Sequence, residues 1–338
     1  METLDVSGKL IAVSPIAVSP PGAAFPSDDR DAPMRLPSAG KSRYLPASTL
    51  RHVLRHGVAL VVQSALKKHG KPLSLDALLA LDKGFFSQKK NVEKGRGKKK
   101  SSEASDDVSG TDSSTASGTK LKPWQILELE RKVREQNPML GLLGIWGMPS
   151  MLRVRNAIPM ATAQGQVYGV ASGIVRRAVE EDLVETLSGD DLTDYLQRLD
   201  SWSDADKEST GLKHIKERPW EEILGGVECD WGYQIHRYTP IQSGAVLAAL
   251  RAFAGDPVIG AHIAVGRGEV AMELNATSVH QDILKGPKVQ PAGKILVRRG
   301  IFEVDGLLAE HLAEFDRAAE DGFRGMDFSC IPTAADES

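Results

Sequence analysis

The chain has 338 residues, 41% of them hydrophobic and 26% charged, with a net charge of −3 and a pI near 6.3. That length and apolar content fit one elaborated domain or two small ones with a real core, and they exclude a low-complexity polymer. A near-neutral balance excludes a uniformly basic nucleic-acid binder, so contacts with phosphates would have to come from local clusters of Arg and Lys. No apolar run approaches eighteen residues, so no membrane partner is expected. The opening METLDVSGKLIAV reads unlike a secretory leader. Cys229 and Cys330 stand far apart with no CxxC, which argues against a zinc site or a disulfide framework and fits a cytoplasmic setting.

In chain order, GKLIAVSPIAVSP (8–20) alternates like a strand, and its prolines mark an edge or a break. Residues 21–45 are rich in Pro, Gly, Ser and Asp and read as a long loop. A helix is predicted over 48–69, with Ser48 as N-cap and Gly70 at its C-terminal end. Its buried stripe is expected to be Leu50, Val53, Leu54, Gly57, Val61 and Ala65, leaving Arg51 and Arg55 on another face. Residues 87–120 hold few apolar side chains against many Lys, Ser, Gly and Asp, a composition expected to stay disordered. Its basic part, Lys89 to Lys100, reads as a solvated loop or a phosphate contact.

A second helix starts at Pro123, followed by the glycine-punctuated MLGLLGIWGMPSMLRVRNAIP and a strand over MLRVRNAI. Residues 174–200 look helical and 201–222 look like a polar loop. The remainder alternates between a strand (228–240), a helix (242–254), a glycine-broken strand (262–274), a strand (294–304) and a helix (306–323). Interleaved strands and helices of this kind predict an α+β sandwich built from split βαβ units. No Gly-x-Gly-x-x-Gly follows a strand and no Walker A pattern occurs, which disfavours a dinucleotide or P-loop fold.

Three segments carry candidate chemistry. In YLPASTLRHVLR (44–55) a helix start offers free N–H groups to a phosphate, and Arg51 and Arg55 add guanidinium forks; a capped surface helix is the plainer reading. In GLLGIWGMPSMLRVRN (141–156), Gly144 and Gly147 allow close backbone approach, while Arg153 and Arg155 alternate onto one strand face. In PVIGAHIAVGRGEVAMEL (257–274), Gly260, Gly266 and Gly268 surround Arg267 in a turn that would wrap a phosphate or simply bend a hairpin. His52 and His56 are four apart, the spacing for a shared metal, but no third ligand is evident.

Taken in this order and spacing, the three segments resemble the RAMP superfamily, specifically the backbone subunits of CRISPR surveillance complexes. YLPASTLRHVLR looks like that family's Ile-Pro-Gly-Ser-Ser-Leu-Arg-Gly helix start, LGIWGMPSMLRVRNA like its Leu-Phe-Gly motif and following strand, and IGAHIAVGRGEV like its glycine-rich loop. The resemblance covers about residues 8–70, 138–158 and 226–275, and the long insertion is similar to the type IV branch. Ala47, His52, Trp146 and Asn156 depart from the family pattern.

The resemblance implies a ferredoxin-like, RNA-recognition-motif-type palm formed by 1–70, 123–160 and 226–338. A finger-type insertion over 71–122 and a thumb-type insertion over 161–225 would interrupt it. It further implies a guide-RNA-binding subunit, without cofactor or metal, that oligomerises along the RNA and holds it for pairing with a DNA or RNA target. Its partners would be the guide RNA, copies of itself and other subunits of the complex. The implied contacts are Ser48, Arg51, Arg55, Gly144, Gly147, Arg153, Arg155, Arg176, Arg177, Gly260, His262, Gly266, Arg267 and Gly268. Glycine-flanked turns and the helix start would gather these cations into one continuous groove. The alternative is metal-dependent cleavage of target RNA by Asp31, which is placed like the catalytic aspartate of type III relatives.

Overall fold

The computed structural model describes residues 2–18, 36–39, 42–84, 123–145, 147–161, 166–173, 189–190, 192–193, 218–260, 266–282 and 285–331. Strand β1 (Glu2–Ala12) starts well before the predicted Gly8. Its even-numbered positions Leu4, Val6, Leu10 and Ala12 are buried, as a strand half-covered by helices requires. The prolines end it: residues 13–18 leave the sheet, and Ile16 bridges onward to Ile223.

Two short strands, β2 (Ser38–Ala39) and β3 (Ser42–Arg43), precede helix α1 (Ala47–Lys68). Its N-cap is Pro46, which offers no side-chain oxygen. Ser48 is therefore inside the first turn rather than capping it. The cap comes from elsewhere: the backbone N–H of Ala47 donates to Oδ1 of Asn156 at 2.7 Å. The other end closes as predicted, with Gly70 at φ +67° and Lys71 donating back to the Leu66 carbonyl, a Schellman arrangement. The buried stripe runs through Leu50, Leu54, Gly57, Val58, Val62 and Leu66, whereas Val53, Val61 and Ala65 are only partly buried.

Helix α2 (Leu75–Asp82), inside the segment expected to begin an excursion, packs on α1 and buries Leu75 and Ala77 to Leu81. Helix α3 (Pro123–Gln136) follows, and then α4 (Pro138–Leu143), an element not anticipated because its glycines read as loop. Asn137 caps α4 by accepting from the Leu140 N–H at 3.2 Å.

The predicted strand 151–158 is two pieces, β4 (Leu152–Val154) and β5 (Ile158–Pro159), with Ala157 turned away to pair with Leu45. A separate hairpin is formed by β6 (Tyr168–Gly173) and β7 (Arg218–Ile223). Its second strand occupies the end of the stretch read as a polar loop.

Strand β8 (Glu228–His236) leads into α5 (Pro240–Phe253) through a capping box. The Thr239 hydroxyl accepts from the Gln242 N–H, and the Gln242 side chain accepts from the Thr239 N–H. The chain then forms β9 (Val270–Asp282), β10 (Gly286–Arg298), β11 (Ile301–Val304) and α6 (Gly306–Glu320). The predicted last strand is thus two, folded back at Arg299 and Gly300.

The main sheet has seven strands among the described residues, in the order β11–β10–β9–β1–β8–β4 with β5 also on β8, and all of their pairings are antiparallel. Helices α1, α5 and α6 pack in a row. Close approach is made possible by Gly57, where a Cβ would lie 2.8 Å from that of Ala249, and by Gly244 against the His311 carbonyl. The opposite face carries the alternate positions Asp5, Ser7, Lys9, Asp230, Gln234, Glu273 and Asn275, exposed or half-exposed, so no described helix covers it. Among the described residues no helix is long and apolar enough to cross a membrane.

Candidate nucleic-acid interface

The register brings one end of the sheet together: Ala12 lies opposite Val270, Ile11 opposite Glu228, and Pro159 opposite Cys229. The start of α1 is tied to this end by Asn156. The loop before β9 is tied to it as well, since Gly268 N–H donates to the Pro15 carbonyl and Ile259 N–H to the Gly268 carbonyl, both at 2.9 Å. Gly260, Gly266 and Gly268 all have positive φ; a Cβ at Gly260 would strike the Ala17 carbonyl, and one at Gly268 the Ile259 carbonyl. The first segment thus touches the second through Asn156, while the third is tied to Pro15 and Ala17.

The arginines do not form the single strip expected of them. Arg55 is 7% exposed and faces inward. Its guanidinium donates to the carbonyls of Leu143 (3.0 Å), Ala80 (2.7 Å) and Gly144 (2.6 Å), at the C-terminal ends of α4 and α2. Helix C-termini leave carbonyls unpaired and carry partial negative charge, so one buried cation satisfies two of them. Desolvation, with a smaller contribution from Arg51, pulls its pKa down to about 10, still well above neutrality. The reading of Arg55 as a surface phosphate contact is therefore corrected: it is an internal clamp.

Arg51, one turn earlier, is half-buried and donates to the same Leu143 carbonyl at 2.8 Å, and burial lowers its pKa too. Gly144 ends α4 at φ +70°, where a Cβ would meet the Ser150 backbone, and Gly147 turns at φ +86°. These glycines shape a tight reversal that offers its carbonyls to arginines.

Arg153 and Arg155 do share one face, as the alternation predicted, although only Arg153 lies within β4. Arg153 is exposed beside Gln234 on the uncovered face. Arg155 crosses Gly232, whose missing side chain makes room, and reaches the Val6 carbonyl (3.2 Å) and Asp5 (3.4 Å). Arg267 sits apart at the hairpin, ion-paired to buried Glu222 and stacked 5.7 Å from the Trp220 ring. Thus Arg51 lies in the helix layer, Arg153 on the open face and Arg267 at the hairpin. Asp31, Trp146, Arg176, Arg177 and His262 lie outside the described residues.

A cluster the sequence reading missed surrounds Glu221. This buried carboxylate pairs with Arg43 and accepts from the Leu36 N–H at 3.0 Å. Arg43 also lies 5.4 Å from the Tyr168 ring and accepts that residue's hydroxyl proton at its carbonyl, 3.0 Å away. Arg43 and Glu221 are 178 positions apart, and nothing in either neighbourhood points to the other. The only local signal was Trp220 and Ile223 flanking two glutamates, a short amphipathic strand in polar surroundings.

Among the described residues no group of three His, Cys, Asp or Glu is placed to hold a metal. Cys229 is buried and its thiol is pushed up to about 12 by desolvation, which makes it a packing residue rather than a nucleophile. No protein-family model matches the chain, and no curated protein matches it either.

Proposed function

We propose that this chain is an RNA-binding assembly subunit with a ferredoxin-like palm, of the kind that lines a guide RNA in CRISPR surveillance complexes of the type IV branch. The observation that carries the reading is the path β1–α1–β4–β8–α5–β9 with sheet order β4–β8–β1–β9. That is the split βαβ order of ferredoxin-like and RNA-recognition-motif domains, with helices on one face and the other face open.

The chemistry of the open face refines it. The central strands place Asp5, Ser7, Lys9, Asp230, Gly232, Gln234, Glu273 and Asn275 there, and among the described residues they offer that face no Phe, Tyr or Trp for a base to stack on. Binding would therefore run through phosphate and ribose, leaving the bases to pair with a target strand. The cations for it are Arg153 and Arg155, which share the open face beside β8. Self-association along the RNA and docking of other subunits belong to the same proposal.

The test is native purification at low salt, followed by absorbance at 260 and 280 nm and sequencing of any bound nucleic acid. RNA of defined length that dissociates at high salt is the expected result. Protein that elutes free of nucleic acid at low salt would overturn the reading.

A further inference from the structure

Strand β4 stops at Val154 and β5 starts at Ile158, so the strand edge beside β8 is broken opposite Trp231 and Gly232. A cavity of about 440 Å³ opens at this break, next to Ala47 at the start of α1. It is lined by Val154, Arg155, Asn156, Ile158, Asp230 and Trp231. That volume suits a small planar ligand, since such sites span ~300–1,000 Å³.

Three of the lining side chains hold unused hydrogen-bonding capacity. Trp231 is 1% exposed, and its indole N–H has no acceptor among the described residues. Indole is a donor only, and a buried one ordinarily finds a partner. Its ring is packed beside that of Tyr233, with centres 6.0 Å apart. Asn156 gives its Oδ1 to the Ala47 N–H, which fixes the orientation of the amide and leaves Nδ2 without an acceptor among the described residues. Asp230 is exposed at the rim, and its carboxylate has no partner among the described residues. Two donors, one carboxylate that only accepts, and the apolar side chains of Val154 and Ile158 therefore surround one space.

Guanine matches that set. Its ring N–H and exocyclic amine stand side by side, so one carboxylate accepts from both, while O6 and N7 accept from an amide and an indole N–H. Adenine, cytosine and uracil each place an acceptor beside the donor on the same edge, and a carboxylate repels it. We propose that this cavity binds a guanine base, with Asp230 accepting from its paired donors and Asn156 and Trp231 donating to its acceptors. The source of the base rests on the RNA-binding reading. Arg155 lines the cavity and shares the open face with Arg153, so a strand held there by its phosphates turns one base into the break. A free guanine nucleotide carries the same base, and the experiment separates the two sources.

The purified full chain, stripped of nucleic acid at high salt, is titrated calorimetrically with guanosine, adenosine, cytidine and uridine monophosphates, and with inosine monophosphate, which lacks the exocyclic amine. Guanosine monophosphate should bind about 10-fold or more tighter than the adenosine, cytidine and uridine compounds, with inosine monophosphate between. Asp230→Ala should abolish the preference. Trp231→Phe, shown to be folded by circular dichroism, should weaken the guanosine compound alone. A second arm compares retention of an all-uridine RNA with that of the same RNA carrying one guanosine. Tighter retention of the guanosine strand, lost in Asp230→Ala, assigns the base to RNA. A preference among the monophosphates without a difference between the strands assigns the cavity to a free nucleotide. Equal binding of all the monophosphates together with equal retention of both strands overturns the proposal, as does a guanine preference that survives in Asp230→Ala. RNA retained without any base preference sinks this inference alone, whereas a guanine preference in a protein that retains neither strand sinks the binding reading instead.

Discussion

Where α1, α2 and α4 meet, and where β4 borders the open face, the chain uses the same residue type in opposite ways. Arg55 is enclosed, makes three bonds to helix-end carbonyls and joins α1 to the ends of both α2 and α4. Arg153 is exposed at a sheet edge. The difference teaches that a pair of arginines at helical spacing carries no information about which of them faces water. That is settled by whether another element brings unpaired carbonyls to the guanidinium.

The comparison breaks most visibly at Arg55. Arg55→Ala leaves buried carbonyls without donors and should lower unfolding stability by about 3 kcal/mol, read from the urea midpoint. A loss below about 1 kcal/mol would mean the clamp is not formed in solution.

A smaller effect comes from two histidines, one between α5 and α6 and one beside the open face. His311 in the helix layer, near the Ser243 hydroxyl at 3.1 Å, has its pKa lowered by burial against the opposing pull of Glu314, Glu310 and Glu2. His236, beside Arg153, is lowered by desolvation and by that arginine. A lowered folded pKa means that the unfolded chain binds protons first as the solution is acidified. The stabilisation is thus complete above the ordinary value of 6.5 and is lost as pH falls from there through the folded value. Melting temperature should decline over that window, and His311→Gln should flatten the decline. An unchanged slope in that variant would place the sensitivity elsewhere.

The smallest structural effect is expected at Arg153. Arg153→Ala should leave stability within about 0.5 kcal/mol while weakening RNA retention and making the salt dependence shallower by about one unit of log–log slope. Unaltered retention and slope would remove the open face from the interface.

Much of the secondary structure was legible because its signals are local. Helix α5, helix α6 and strand β8 announce themselves through periodicity and flanking turn residues, and Gly70 marks the end of α1 as glycine does in a Schellman turn. Helix α4 was not legible, because Gly141 and Gly144 mimic a loop while its cap, Asn137, is also held by the carbonyls of Phe328 and Cys330 far along the chain. Strand β7 was hidden by its charge: Glu221 and Glu222 look solvated until Arg43 and Arg267 arrive to pair with them.

By itself the sequence determined an α+β chain, the start and end of most long elements, and which glycines turn the backbone, since these follow from periodicity and from φ angles that other residues resist. Only the tertiary structure decided that Arg55 faces inward, that Asn156 caps a helix more than a hundred residues earlier, and that Asp82 lies beneath His56. Each of these depends on a donor meeting an acceptor across distant chain segments, and a hydrogen bond between such groups leaves no mark in the neighbourhood of either one.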